Sequence, residues 1–300
     1  MSQRRTGMDT DGMTPISKLL KDFQATDQQG HSLTSKRTED LTCSCGKTFT
    51  ATIFTVSGRE MKYEKVCPEC STKLRQAERL KDLEKELVKR EQNRRDAWFD
   101  VSGLQENVKF GCADFESFDR KLQPKAYDAV INFDWNGDKS LVLASPNVFG
   151  VGKTHLVTAL VNKVIKDTPA ARIQDNVIHE HYTPPVLFVQ ENNLLRRIRS
   201  TYNQGASETE QAVYAHITRT QLVIVDDVGK LQPKDSSFLQ GVWFTLLDDR
   251  YSTGSPMVLT TNLSPDQLET HIGGACADRL REMCGKKGFI VMAGTSYRRR

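Results

Sequence analysis

The stretch SPNVFGVGKTHL, residues Ser145 to Leu156, constrains the fold more than any other. Gly152-Lys153-Thr154 ends it as a phosphate-binding loop ends, in the pattern G-x-x-x-x-G-K-[ST]. Such a loop needs a buried strand leading in and a helix leading out. Both are legible, because SLVLA (140–144) precedes the loop and KTHLVTALVNKVI follows with apolar residues at helical spacing. Asn147 stands where the pattern has its first glycine. Asparagine enters the left-handed backbone region more readily than other residues with a side chain, so the turn is expected to close. The run Asn147, Val148, Phe149, Gly150, Val151, Gly152, Lys153, Thr154 and His155 is then the expected contact for the phosphates of a nucleoside triphosphate, at the positive end of the helix. Lys153 would reach the β- and γ-phosphates and Thr154 would ligate Mg²⁺.

The chain beyond Gly111 alternates short apolar runs with helical segments. Strands are predicted at 140–144, 185–190, 221–226, 256–261 and 288–293, and helices at 153–166, 192–202, 238–251 and 265–271. This texture predicts an α/β domain over 105–300 with a mostly parallel five-stranded sheet covered on both faces. QLVIVDDVGK places Asp226 and Asp227 at the C-terminal tip of a buried strand, beside the loop. Asp226 would hold Mg²⁺, and Asp227 would orient or deprotonate the attacking water. PMVLTTNL brings Asn262 to the end of another strand, within reach of the γ-phosphate or that water.

Four of the seven cysteines cluster as Cys43-x-Cys45 and Cys67-x-x-Cys70. The intervening residues read as a hairpin turning at Ser57-Gly58, which would gather four thiolates around a structural Zn²⁺ in a small domain over 41–72. Residues 1–40 are polar and read as mostly irregular, with Ile16–Phe23 a candidate docking helix. Residues 73–98 lack Gly and Pro and carry Leu74, Ala77, Leu80, Leu83 and Leu87 at three- and four-residue spacing, a linker helix or short coiled coil. The cysteine pattern suits a reducing cytoplasm, and no apolar run is long enough to span a membrane. His179 and His181 are read as part of an exposed loop. A net charge of +4 decides nothing about partners.

In order, FESFD, NVFGVGKTHL, LLRRIRSTY, VIVDDVGK, DDRYSTGSPMVLTTNLS, ADRLREM and SYR resemble the DnaC-type helicase loaders, with the IstB transposition helpers close by, both among the AAA+ ATPases. The resemblance covers about 110–298. It implies that Asn262 is a sensor, that Arg279 is an arginine finger acting on a neighbouring subunit's ATP, and that Arg298 is a second sensor. GCADFESFD falls where the family's adenine-side segment lies. With only GTSYRRR after the last predicted strand, no C-terminal helical lid is expected. The implied function is ATP-dependent loading of a hexameric replicative helicase, bound through the N-terminal region, by a self-associating, ATP-hydrolysing protein. Arg196, Arg197, Arg199 and Tyr202 would form a single-stranded DNA surface, since guanidinium and aromatic groups along a helix suit sequence-tolerant binding. Three alternatives stay open: an IstB-like helper of DNA transposition, a small-molecule P-loop kinase, and a zinc-binding adaptor with negligible hydrolysis.

Overall fold

A computed structural model describes residues 34–56, 59–62, 64–104, 113–230, 236–294 and 296. The docking segment Ile16–Phe23, the Ser57-Gly58 turn, Gly111, Cys112 and Arg298 lie outside the described residues. The chain divides into two compact units, Met1–Asp82 and Leu83–Arg300.

In the first unit β1 (Thr34–Thr42), β2 (Thr48–Val56) and β3 (Arg59–Lys62) form an antiparallel sheet in that order. β1 begins inside the stretch read as irregular. Its residues TSKRTEDLT lack apolar alternation, but they pair with β2 along their whole length, from Thr34 opposite Val56 to Thr42 opposite Thr48. The backbone partner, and not local composition, makes this strand. On β2, Ala51 and Ile53 are buried.

Helix α1 (Pro68–Val101) is longer than the expected 73–98 at both ends. Pro68 opens it, a first-turn position where the missing N–H has no intrahelical acceptor to lose. Its apolar stripe is unevenly used. Leu74 and Leu80 are 53% and 45% exposed, Leu83 and Leu87 are half-buried, and Trp98 is buried.

The second unit contains the remaining elements: α2 (Pro124–Ile131), β4 (Leu141–Ala144), α3 (Lys153–Asp167), β5 (Ala171–Gln174), β6 (Val177–Glu180), β7 (Val186–Gln190), α4 (Glu191–Ser200), α5 (Glu210–Thr218), β8 (Leu222–Val228), α6 (Ser236–Thr253), β9 (Met257–Thr261), α7 (Pro265–Ile272), α8 (Gly274–Cys284) and β10 (Phe289–Val291). Five of these strands form a wholly parallel sheet in the order β10-β4-β9-β8-β7. Side chains alternate across it. Leu141, Leu143, Leu222 and Ile224 join a layer with α2, α3 and Trp98, whereas Val142, Ala144, Val223 and Val225 join a layer with α4 to α8. Double coverage explains why the strands read as continuous apolar runs.

β5 and β6 form a separate antiparallel hairpin that places His179 in a strand and His181 just after it, in place of the expected loop. Its turn is Asp175-Asn176, with φ of 52° and 58°, the left-handed pair that a two-residue hairpin requires. At the edge strand β7, Phe188 N–H donates to Ser102 O at 2.7 Å, so the chain leaving α1 caps that edge.

Arg250 is wholly buried in α6, and its guanidinium donates to the carbonyls of Thr220, Gln221 and Pro256. Burial lowers its pKa to about 10, which leaves it charged at neutral pH. It ties the approach to β8 to the approach to β9. Arg250→Met should therefore destabilise the protein by about 3 kcal/mol or more, read as a fall in the denaturant midpoint, because the buried carbonyls lose a charged donor.

Candidate nucleotide site and cysteine cluster

Three adjacent strands, β4, β9 and β8, end at the same side of the sheet, with Ala144 opposite Thr261 and Val228 opposite Thr261. The segments that follow them are therefore neighbours in space, although far apart in sequence. Ser145–Gly152 leaves β4, Asn262 leaves β9, and the acidic pair lies at the end of β8.

The loop closes as expected at its irregular position, since Asn147 has φ of 60°, beside Gly150 at 74° and Gly152 at 98°. Lys153, the first residue of α3, is buried, and its Nζ donates to Asn262 Oδ1 at 2.6 Å and to Ser145 Oγ. Ser145 Oγ also donates to Val148 O at 2.7 Å, which fixes the loop's first turn. Thr154 Oγ1 lies 3.1 and 3.2 Å from the two carboxylate oxygens of Asp226. Lys153, Thr154, Asp226 and Asn262 thus form one cluster. On its flank, His155 Nε2 lies 3.1 Å from Ser117 Oγ and 3.0 Å from Asp114 O, and Asn162 Nδ2 donates to Ala113 O at 2.8 Å. These contacts pin the ADFESFD segment onto α3, with the Phe118 ring edge-on to His155 at 5.3 Å.

Asp226 is inaccessible to solvent, and Thr260 Oγ1 donates to it at 2.5 Å. Burial, reinforced by Asp227, pushes its pKa up to about 6. Asp227 is different. The ladder between β8 and β9 shifts register between Val225 and Val228, and Asp227 takes φ of 57° there. Its carboxylate accepts from Lys230 Nζ at 2.7 Å, and its own N–H donates to Thr260 Oγ1 at 2.9 Å. A bulge therefore lets consecutive aspartates do unlike things, the first buried in the cluster and the second half-buried and paired with Lys230. Reading by residue type found the pair but not the bulge, and it missed Ser145 and Thr260, whose hydroxyls connect the parts.

Arg279 lies apart from this cluster. Its guanidinium pairs with Asp248 at 2.9 Å and stacks 4.8 Å over Phe244, both on α6. On α4, Leu194, Leu195 and Ile198 are buried and Arg196, Arg197 and Arg199 exposed. Arg196 donates to Asn193 at 2.5 Å, and Arg197 forms a two-pronged pair with Glu208. Arg199 and Tyr202 both contact the Phe238 ring, at 4.6 and 6.3 Å.

The four sulfurs of Cys43, Cys45, Cys67 and Cys70 lie within 4.8 Å of one another. Cys43 and Cys45 occupy a tight turn closed by Cys43 N–H to Lys47 O, while Cys67 precedes α1 and Cys70 lies in its first turn. Lys47 Nζ reaches Glu69 at 2.6 Å, linking turn to helix. Backbone N–H groups of Cys45 and Cys67 bring the Cys43 thiol down to about 6, while hydrogen bonding to Cys67, Cys45 and Cys43 raises Cys70 to about 12. Four sulfurs this close share protons unless a cation replaces them, and an all-thiolate set fits Zn²⁺.

The raised pKa of Asp226 sets a stability effect with a definite sign. Between the ordinary value of 3.8 and about 6 the folded protein holds a proton that the unfolded chain releases, so stability falls as pH rises through that window. Asp226→Asn should stabilise the nucleotide-free protein at about pH 7.5 by ~1–3 kcal/mol, with the gap closing toward pH 4, and should abolish stabilisation by Mg-ATP. Thermal melts across pH check both. Elemental analysis of purified protein should find one zinc per chain at neutral pH, lost in Cys67→Ser and on acidification, when the thiolates take up protons.

The sequence profile of the IstB-like ATP binding protein family matches residues 63–300. The chromosomal replication initiator protein DnaA of Streptococcus thermophilus is 26% identical over 119 residues, 40% of this chain; the match spans 23% of that relative's length. The crystal structure of the DnaC helicase loader covers 62% of this chain and 99% of its own, at 16% identity and a TM-score of 0.47. The crystal structure of DnaI covers 63% of this chain and 92% of its own, at 20% identity and a TM-score of 0.44.

Proposed function

Because the chain belongs to the IstB-like ATP binding protein family, we propose that it hydrolyses ATP to drive the loading of a hexameric replicative helicase onto single-stranded DNA. The observation that carries the ATPase part is the convergence of Lys153, Thr154, Asp226 and Asn262 from three strand ends. The five-stranded parallel sheet is that of an AAA+ P-loop domain.

In this reading the N–H groups of residues 147–152 hold the phosphates. Lys153, already desolvated, exchanges Asn262 and Ser145 for the β- and γ-phosphates and sets its charge against them. Mg²⁺, held by Thr154 and Asp226, would neutralise the charge of the β- and γ-oxygens. Asn262 turns its amide toward the γ-phosphate or the attacking water, and Asp227 on its bulge orients that water once Lys230 is displaced. Arg279, which pairs with Asp248 and Phe244 on α6 of its own subunit, completes the site of a neighbouring subunit. The helix α4 surface of Arg196, Arg197, Arg199 and Tyr202 tracks the DNA backbone. The cysteine unit, folded around Zn²⁺, presents the N-terminal region to the helicase. Among the described residues no helix is long and apolar enough to cross a membrane.

A second reading, an IstB-like ATPase serving a transposase, is favoured by the family profile itself. Pull-down from the native host separates the two: a hexameric helicase supports the first, and a transposase replaces it with the second. Lys153→Ala should abolish turnover. Arg279→Ala should lower kcat by roughly a thousandfold while leaving ATP affinity within about twofold, because a finger acts on transition-state charge. Wild-type steady-state turnover in the Lys153 variant would refute the site.

A further inference from the structure

Behind the nucleotide cluster lies a second, buried set of polar groups that no nucleotide-site motif accounts for. Glu191, the first residue of α4, is 3% exposed. Its Oε2 accepts from the backbone N–H of Gly229 at 2.8 Å. Its Oε1 accepts from the Trp243 indole at 2.7 Å and from His271 Nε2 at 2.9 Å. A carboxylate is costly to bury, and this one is offset by three donors from three different elements. Gly229 follows the acidic tip of β8, Trp243 is in α6, and His271 is in the last turn of α7.

What those donors belong to gives the network its meaning. Gly229 lies two residues beyond Asp227, at φ 78°, and a Cβ there would meet Leu263 Cδ1 at 2.3 Å. Leu263 adjoins Asn262, which holds Lys153. The turn after the aspartates and the segment bearing Asn262 are therefore in direct contact, and Glu191 grips that turn from behind. α7, gripped through His271, starts at the capping box of Ser264 immediately after this segment. Glu191 itself begins the helix whose outer face carries Arg196, Arg197 and Arg199. A shift of α4 along its axis moves the carboxylate, and with it Gly229 and His271.

We propose that Glu191, paired with His271, is a positioning residue that couples occupancy of the α4 surface by single-stranded DNA to the setting of Asp227 and Asn262 at the nucleotide. This rests on the reading of α4 as the DNA surface and of the Lys153 cluster as the ATP site. Neither Glu191 nor His271 belongs to the Lys153 cluster or to the exposed arginine face of α4, so the coupling is separable from both affinities.

The test titrates a fluorescent non-hydrolysable ATP analogue into the full chain, with and without saturating oligothymidylate. In the wild type the oligonucleotide should change the analogue's Kd by about fivefold or more, the usual scale of such coupling. In Glu191→Gln only one oxygen still accepts, so Gly229 or the Trp243–His271 pair loses its partner. Its ratio should fall to about one, with the affinity for each ligand alone within about twofold of wild type. His271→Leu should do the same, whereas His271→Gln, which still donates to the carboxylate, should keep the wild-type ratio. A wild-type ratio in Glu191→Gln, or in His271→Leu if the former does not fold, overturns the coupling and leaves the DNA and ATP readings intact. Wild-type protein that binds the analogue but shows no response to the oligonucleotide overturns the coupling, and absence of oligonucleotide binding overturns the DNA reading with it.

Discussion

The carboxylate of Asp226 is the constraint around which the second unit is arranged. No solvent reaches it, and burial alone would leave it protonated well above the usual carboxylate range. Thr260 on the neighbouring strand and Thr154 on the loop helix each present a hydroxyl to it. Those two hydroxyls require β8 and β9 to end, and α3 to begin, at one height. Sheet order, register and the loop's position all follow from that requirement. A folded site with its acid this far from water stores a preference for a cation, because a cation removes the cost of the bare charge more completely than hydroxyl groups can.

The second constraint is that neighbouring residues in the chain must serve different surroundings. The bulge at Asp226-Asp227 does this in β8, and α4 does it again, with Glu191 in its first turn inward and Arg196 in the next turn outward. In β8 a single residue step makes the change, and in α4 the exposed Arg196 lies five residues beyond the buried Glu191. This is how a sheet with fully covered faces still presents chemistry at its rim.

Much of this was legible in the sequence, and the limits have physical causes. The strands of the sheet are short apolar runs buried on both faces, and such runs announce themselves. Asn147 was readable because few side chains tolerate the left-handed turn it makes. β1 was not, because TSKRTEDLT becomes a strand only through the partner that lies against it. His179 sits in a strand, not a loop, because the left-handed Asp175-Asn176 turn folds its flanks into a hairpin. Glu191, Ser145 and Thr260 were missed for another reason. Their roles lie in partners many residues away, and no local pattern distinguishes a serine that orders a loop from one that is merely polar.

The bond from Phe188 to Ser102 has a consequence of its own. β7 is a border of the sheet, and unpaired backbone groups there invite a strand from another chain. The residue after Ser102 is Gly103, where a Cβ would fall 2.0 Å from Phe188 O, so only a bare backbone can lie against that border. The end of the long helix thus does more than join one unit to the next. It is the selvedge of the sheet, the finished edge that keeps the weave from taking up another thread.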